Sequence, residues 1–467
     1  MNKPAEIRFG TDGWRAIIAD TYTLTNVMRV AEGTAQWMKD NSMNKVVVGH
    51  DCRFGGPMFS KATAEVFSAY GIEVYRASDY VSTPMVSYGV VNAKADLGVV
   101  ITASHNPPSY NGFKLKSKFG GPSVPADIAA VEALIPVHSR FAAGEITANT
   151  SLIHEIDLEE IYYQKVMDSF DIKGIASSGI NLAYDAMYGA GQRVLHRILP
   201  KAKLLHCDEN PGFHGQAPEP IGRNLTELSR FIQDSDVSYV GLATDGDADR
   251  IGLFDEHGKF VDSHHILLLL LYYLAVEKNM TGDVIVTFSV TEKMKKLADQ
   301  LGLKTTVTKI GFKYIAELML EQDVLVGGEE SGGLAVKGFI PERDGIWIGL
   351  TIMEFMAKSG KKLHELVSMI HERVGSFDFD RDDLHLDEEK KQAVIARCQK
   401  GGIDNIGDLV VKDTDDIDGY KFFFETEGEW VMIRPSGTEP VLRVYAQAAN
   451  STRVREILDT THAFFQQ

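Results

Sequence analysis

Residues 96–115 read DLGVVITASHNPPSYNGFKL. The apolar run Val99-Val100-Ile101 has the length and β-branched content of a buried strand. It breaks at once into Ser104, His105 and Asn106, followed by Pro107 and Pro108. That change marks a loop with polar groups held at a strand end. Loops at the ends of parallel strands are where α/β proteins place their chemistry. Ser104 is open to three readings on this stretch alone: nucleophile, turn residue or cap.

The flanking sequence continues the pattern. KVVVGHD (45–51) reads as a strand, MFSKATAEVFSAYG (58–71) as a helix closed by Gly71, and IEVYRA (72–77) as the next strand. Strands alternating with helices imply a mostly parallel sheet covered by helices. The pattern restarts near residue 178 and again at GDVIVTFSV (282–290). Three successive α/β units of about a hundred residues follow, with no repeat legible as sequence identity. Beyond about residue 372 the texture changes. HERVGSFDFDRDDLHLDEEKKQ (371–392) reads as charged and irregular, and strands and a closing helix then suggest an α+β unit. No Gly/Ser-rich or Pro-rich linker separates the units, so close packing around shared clefts is expected.

The chain has 467 residues, material for about three or four domains. Lys and Arg number 48 against 65 Asp and Glu, a formal charge of −17. Such a surface repels nucleic acid and anionic membrane, so neither is expected as a partner. An anionic small substrate would need a local cluster of cations in a cleft. Cys52, Cys207 and Cys398 lie far apart with no C-x-x-C, indicating neither a zinc site nor a disulfide framework. The apolar run 266–276 falls short of the ~20 residues that span a bilayer and reads as a buried helix. The N-terminus has no secretory pattern, and a cytoplasmic protein is expected.

Four further loops could carry chemistry. TDGDADRIG sets Asp245, Asp247 and Asp249 at alternating positions. Carboxylates this close repel unless a cation sits among them, and oxygen ligands suit magnesium or calcium. An EF-hand is disfavoured, because Arg250 stands where the sharp turn needs Gly and the flanks are strand-like. IRPSGTEP (433–440) combines the forked cation of Arg434, the hydroxyls of Ser436 and Thr438, and Gly437, an arrangement suited to phosphate or simply an ordinary turn. VGGEESGG (326–333) offers Glu329 and Ser331 to sugar hydroxyls, or is a flexible acidic turn. GAGQRV (189–194) lacks the third glycine of a dinucleotide fingerprint and reads as a strand-to-helix turn. Ser104 is in no G-x-S-x-G elbow, and its neighbour His105 is poorly placed as a serine base.

Taken together, TASHNPPSYNGFKL, DGDADR, GEESGG and RPSGTEP resemble, in order, the four motifs of the α-D-phosphohexomutase family. FGTDGWR (9–15) and IGFKYI (310–315) also resemble family segments. The resemblance implies three related α/β domains and a C-terminal α+β domain around a central cleft. The expected divisions are 1–151, 152–254, 255–371 and 372–467, bearing in turn the phosphoserine, metal, sugar and phosphate loops.

The family's chemistry, carried to matching positions, makes Ser104 the phosphoryl carrier. Asp245, Asp247, Asp249 and a phosphoserine oxygen would hold Mg2+. Arg15 and Arg250 would add positive charge, and His105 would support the loop or a phosphoryl oxygen. Lys114 is the candidate general base, which requires a depressed pKa; otherwise it only binds phosphate. Glu329 and Ser331 would bind sugar hydroxyls, with Lys313 and Arg343 as further contacts. Arg434, Ser436, Gly437 and Thr438 would hold the phosphate not being transferred. The substrate would be a hexose phosphate, with hexose 1,6-bisphosphate as intermediate and activator. Some members have histidine after the Glu-x-Ser-Gly stretch, where this chain has Gly333. Phe113 with Glu329-Glu330-Ser331 resembles the glucose and mannose phosphate enzymes more than phosphoglucosamine mutase, the nearest alternative. A magnesium-dependent sugar phosphatase and a silent sugar-phosphate binding protein are the rivals of other classes.

Overall fold

A computed structural model describes residues 5–10, 12–435 and 441–466. Six strands form the first sheet: β1 (Trp14–Ile17), β2 (Lys45–His50), β3 (Glu73–Ala77), β4 (Leu97–Ile101), β5 (Tyr110–Ser117) and β6 (Ile153–Ile156), in the order β1-β5-β4-β2-β3-β6. β4 and β3 lie parallel to β2, and β5 returns antiparallel along β4. All five residues of β4 are buried. Burying each large aliphatic side chain contributes roughly 1.5–3 kcal/mol, which anchors the strand from which Ser104 projects.

The second sheet comprises β7 (Asn181–Asp185), β8 (Lys203–Leu205), β9 (Tyr239–Thr244), β10 (Ile251–Phe254) and β11 (Phe260–Val261), ordered β11-β10-β9-β7-β8. The third contains β12 (Asp283–Thr287), β13 (Thr305–Thr308), β14 (Val324–Gly328) and β15 (Leu334–Val336), ordered β13-β12-β14-β15. The three sheets share one topology. The first parallel strand sits between the second and third, and an antiparallel strand returns beside the third: β3-β2-β4-β5, β8-β7-β9-β10 and β13-β12-β14-β15. The repeat is therefore present in three dimensions although the sequence does not display it. The loop between the third strand and its return holds Ser104 in the first unit, the three aspartates in the second and Glu329 in the third. Chain reversal on either side of the first strand makes this edge a topological switch point.

β6 joins the first sheet and β11 the second, so both sheets run a few residues beyond the expected divisions. One apolar cluster takes Val47 and Val86 from the first unit, Leu242 and Val194 from the second, and Leu268 and Ile348 from the third. The three units consequently pack closely. Helix Ser263–Tyr272 is buried on every side, and its residues from Ile266 onward belong to that cluster, which explains their uninterrupted apolar run. No helix among the described residues is long and apolar enough to cross a membrane.

The fourth sheet is antiparallel: β16 (Asp378–His385), β17 (Asn405–Ile406), β18 (Leu409–Asp415), β19 (Tyr420–Phe424), β20 (Trp430–Pro435) and β21 (Val441–Ala448), ordered β16-β21-β20-β19-β18-β17. It has its own core, including Val394, Ile433 and Leu458. The segment 371–392, read as irregular, instead contains the eight-residue strand β16 and the start of helix Glu388–Lys400. Among the described residues β16 is an edge strand paired with β21 alone, and an edge tolerates the Asp and Arg residues that hid its strand pattern.

Candidate active site

Ser104 is buried and has a positive φ of 52°. This left-handed conformation costs about 1–3 kcal/mol for a residue with a Cβ and persists only where its surroundings enforce it. Arg53 supplies that enforcement. Its guanidinium donates to four carbonyls of the loop: Ser104 at 2.5 Å, Asn106 at 2.6 Å, Pro107 at 2.9 Å and Tyr110 at 3.1 Å. Asp51 pairs with Arg53 at 3.3 Å and accepts the Thr102 hydroxyl at 2.5 Å, while Thr102 accepts the Ser104 N–H at 2.9 Å. Burial pushes the Asp51 carboxyl up to about 6, against the pull of Arg53. The opening loop is thus held from beneath by residues not singled out in the sequence.

The Ser104 hydroxyl donates to Asp245 Oδ2 at 2.7 Å, across the boundary between the first two units. Gly246 makes this approach possible, because a Cβ there would lie 2.6 Å from the Ser104 carbonyl oxygen. Asp245, Asp247 and Asp249 are fully buried, with one oxygen of each within 4.8 Å of the others. Asp247 Oδ1 and Asp249 Oδ1 have no hydrogen-bond partner among the described residues. Burial, and then repulsion from Asp247 and Asp249, raises Asp245 well above the usual carboxylate range. Orphaned buried carboxylate oxygens, crowded and all of hard donor type, fit a divalent cation such as Mg2+.

Lys114 stands among these carboxylates. Its ammonium lies 2.8 Å from Asp247, 3.2 Å from Asp249 and 2.9 Å from Asp12. Burial favours its neutral form, but the three carboxylates outweigh that and raise its pKa. The expected depression is therefore absent in this arrangement, where Lys114 is held as a cation. For Asp247, burial opposes ionisation, yet Lys114 and the Thr83 hydroxyl hold it below the usual range. Asp12, which the sequence reading did not single out, also accepts Arg343 Nη2 at 2.5 Å.

Arg343 occupies a more central place than expected. It donates to Asp249 at 2.6 Å and approaches Glu329 at 3.7 Å, joining the metal and sugar loops. A Cβ at Gly333 would lie 2.4 Å from Arg343 Cδ, so the arginine fills the space beside that glycine. Burial pushes Glu329 up to about 7, with Arg343 opposing. Ser331 is half-buried on the same loop. Arg15 donates to Asn106 at 2.5 Å, and the Arg250 N–H donates to Asp245 Oδ1 at 3.0 Å. His105 Nδ1 is 3.4 Å from the Ser104 hydroxyl. Burial, then Arg250, Arg15 and Lys114, keep this imidazole neutral well below its usual pKa.

Lys313 lines a neighbouring cavity of about 220 Å3 with Asp12, Gly13 and Ser123. Arg434 pairs with Asp418 at 3.3 Å, and Asp418 also accepts the Ile310 N–H at 2.8 Å from the third unit. Ser436, Gly437 and Thr438 lie outside the described residues.

Three α/β units that converge on a serine, an acidic triad and buried cations define an enzyme site suited to phosphoryl chemistry. Family models for phosphoglucomutase/phosphomannomutase match in sequence: alpha/beta/alpha domain I at residues 6–139, domain II at 160–258, domain III at 262–373 and the C-terminal domain at 384–462. A Thermococcus kodakarensis phosphoglucomutase/phosphomannomutase is 30% identical over 97% of this chain and 96% of its own length. A Methanococcus maripaludis phosphoglucosamine mutase is 30% identical over 90% of this chain and 91% of its own. A Thermus thermophilus crystal structure bearing the name of a phosphomannomutase superposes with a TM-score of 0.88 at 32% identity, covering 99% of this chain and 100% of that one. The chain belongs to the α-D-phosphohexomutase family and is an enzyme of that family.

Proposed function

We propose that the protein interconverts hexose 1-phosphates and 6-phosphates, acting on glucose phosphates and also on mannose phosphates. The observation that carries this reading is the hydrogen bond from Ser104 to Asp245, which joins a nucleophile on one unit to a cation-suited triad on another. A dianionic phosphoryl group on Ser104 beside three carboxylates would be repelled, so the triad and a phosphoserine require a cation between them. Mg2+ bound there supplies positive charge against the transferred phosphoryl group.

In the first half-reaction a sugar hydroxyl attacks the phosphorus of phosphoSer104. The new P–O bond forms as the P–Oγ bond breaks, giving a hexose 1,6-bisphosphate and a serine oxygen. The proton leaving the hydroxyl passes to Lys114. That role requires Lys114 to be a neutral amine, a form that a cation engaging Asp247 and Asp249 would favour by cancelling their charge and adding its own. The bisphosphate turns around, its other phosphoryl group moves to Ser104, and the released sugar oxygen takes the proton back. Arg15, Arg250 and Arg343 offset negative charge, and catalysis rests on placement and electrostatics. Glu329 and Ser331 grip sugar hydroxyls in both orientations, while Arg434 with Ser436, Gly437 and Thr438 holds the idle phosphate.

The relatives carry names for different substrates. Phe113 and the Glu329-Glu330-Ser331 sequence support the glucose and mannose assignment. Parallel assays on glucose, mannose and glucosamine 1-phosphates, each primed with its bisphosphate, test it. Turnover of glucose 1-phosphate above the others is expected; a preference above about tenfold for glucosamine 1-phosphate would overturn the assignment.

A further inference from the structure

We infer that Thr83 is a positioning residue for the metal loop: it orients Asp247 as a cation ligand and locks that ligand to the serine-bearing unit. The inference rests on the cation role of the triad. Thr83 opens helix Thr83–Asn92, whose N-cap is Ser82. It belongs to the first unit, whereas Asp247 belongs to the second. Two bonds join them. The Thr83 N–H donates to the Asp247 carbonyl at 2.9 Å, and the Thr83 hydroxyl donates to Asp247 Oδ2 at 2.6 Å. Both residues are fully buried.

A carboxylate turns easily about its last torsion, so a ligand needs an outside group to fix its plane. Asp247 Oδ2 has two such donors, Thr83 and Lys114, while Oδ1 has none among the described residues. The two donors differ in kind. Lys114 is positive and competes with a cation for the same carboxylate. Thr83 is neutral, so it can hold Oδ2 without opposing the charge that binds nearby. Its backbone bond fixes the loop, and its hydroxyl fixes the carboxylate. Ser104 and Thr83 thus dock on the same acidic loop from one unit, which sets the phosphoserine and the cation in register.

Manganese titration of the full chain, followed by electron paramagnetic resonance, tests this without turnover. Thr83→Val preserves shape and removes the hydroxyl, and Thr83→Ser restores it. The valine variant is expected to bind Mn2+ about tenfold more weakly, the loss appropriate to a hydrogen bond to a charged group, with the serine variant within about threefold of the parent. A valine variant within about threefold of the parent overturns the inference, as does a serine variant as weak as the valine. Thr83→Ala, read by the same criteria, takes the place of valine if the latter does not unfold cooperatively. A parent protein that binds no Mn2+ overturns the cation role itself, an outcome separate from equal binding by parent and variant.

Discussion

The Ser104 hydroxyl lies 2.7 Å from Asp245 Oδ2, a bond between two structural units that share the same strand order. Ser104→Ala removes a hydroxyl that bonds Asp245. Turnover should fall by at least about a thousandfold, as for loss of a covalent nucleophile. Stability should change by no more than about 2 kcal/mol, the scale of one hydrogen bond to a charged acceptor. Steady-state assay and urea unfolding of the same preparation check both statements.

The crowding of Asp245, Asp247 and Asp249 makes a second prediction. Treatment with EDTA should stop turnover, and Mg2+ should restore it. Mg2+ should also raise the melting temperature, because it binds the folded protein and relieves repulsion that the unfolded chain does not suffer. Full activity in EDTA would contradict the metal reading of the loop.

Arg53 bonds four loop carbonyls and pairs with buried Asp51. Arg53→Met removes the guanidinium from those four carbonyls and leaves buried Asp51 without its paired cation. Breaking a buried pair costs about 3–5 kcal/mol, and a loss of that size is expected in chemical denaturation. Arg53→Lys should recover part of the stability but not the rate of serine phosphorylation, since one ammonium cannot span four acceptors. Phosphorylation at the parental rate in the lysine variant would remove Arg53 from loop positioning.

Glu329 gives a pH prediction. Burial raises its carboxyl from 4.5 to about 7 in the folded protein. A raised acid binds its proton more tightly when folded, so its stabilising contribution is full below the unfolded value and disappears as pH rises through about 7. The ligand-free parent should therefore lose stability relative to Glu329→Gln between about pH 4.5 and 7, with a constant difference above that range. Melting temperatures of both proteins across this range check the sign; parallel curves would show that Glu329 titrates normally.

The α/β alternation was legible because buried strands such as Val99–Ile101 and helix-closing residues such as Gly71 act locally. The three α/β units were legible in the same way, and the four motifs implied that they are related; the strand order they share was not legible, because it leaves no mark in residue identity. β16 was hidden for a similar reason: Asp380, Arg381, Asp382 and Asp383 are acceptable on an edge and erase the apolar alternation. At the site, compact motifs announced Ser104 and the aspartates. Arg53, Thr83 and Asp12 reach Ser104, Asp247 and Arg343 across separations of 51, 164 and 331 residues, so no spacing marks those bonds. Asp12 and Arg53 do carry a weak signal, each being a charged residue close to glycine in a loop after or before a strand. The state of Lys114 depends on three carboxylates, two of them in another unit, and becomes visible only in three dimensions.

The most direct test of the central claim follows the phosphoryl group itself. The full chain is incubated with glucose 1,6-bisphosphate, and the peptide containing Ser104 is analysed by mass spectrometry, before and after addition of unlabelled glucose 1-phosphate. The account predicts one phosphoryl group on Ser104, passed to the sugar with almost no release of inorganic phosphate. An unmodified Ser104 during turnover, or stoichiometric release of inorganic phosphate, would contradict it.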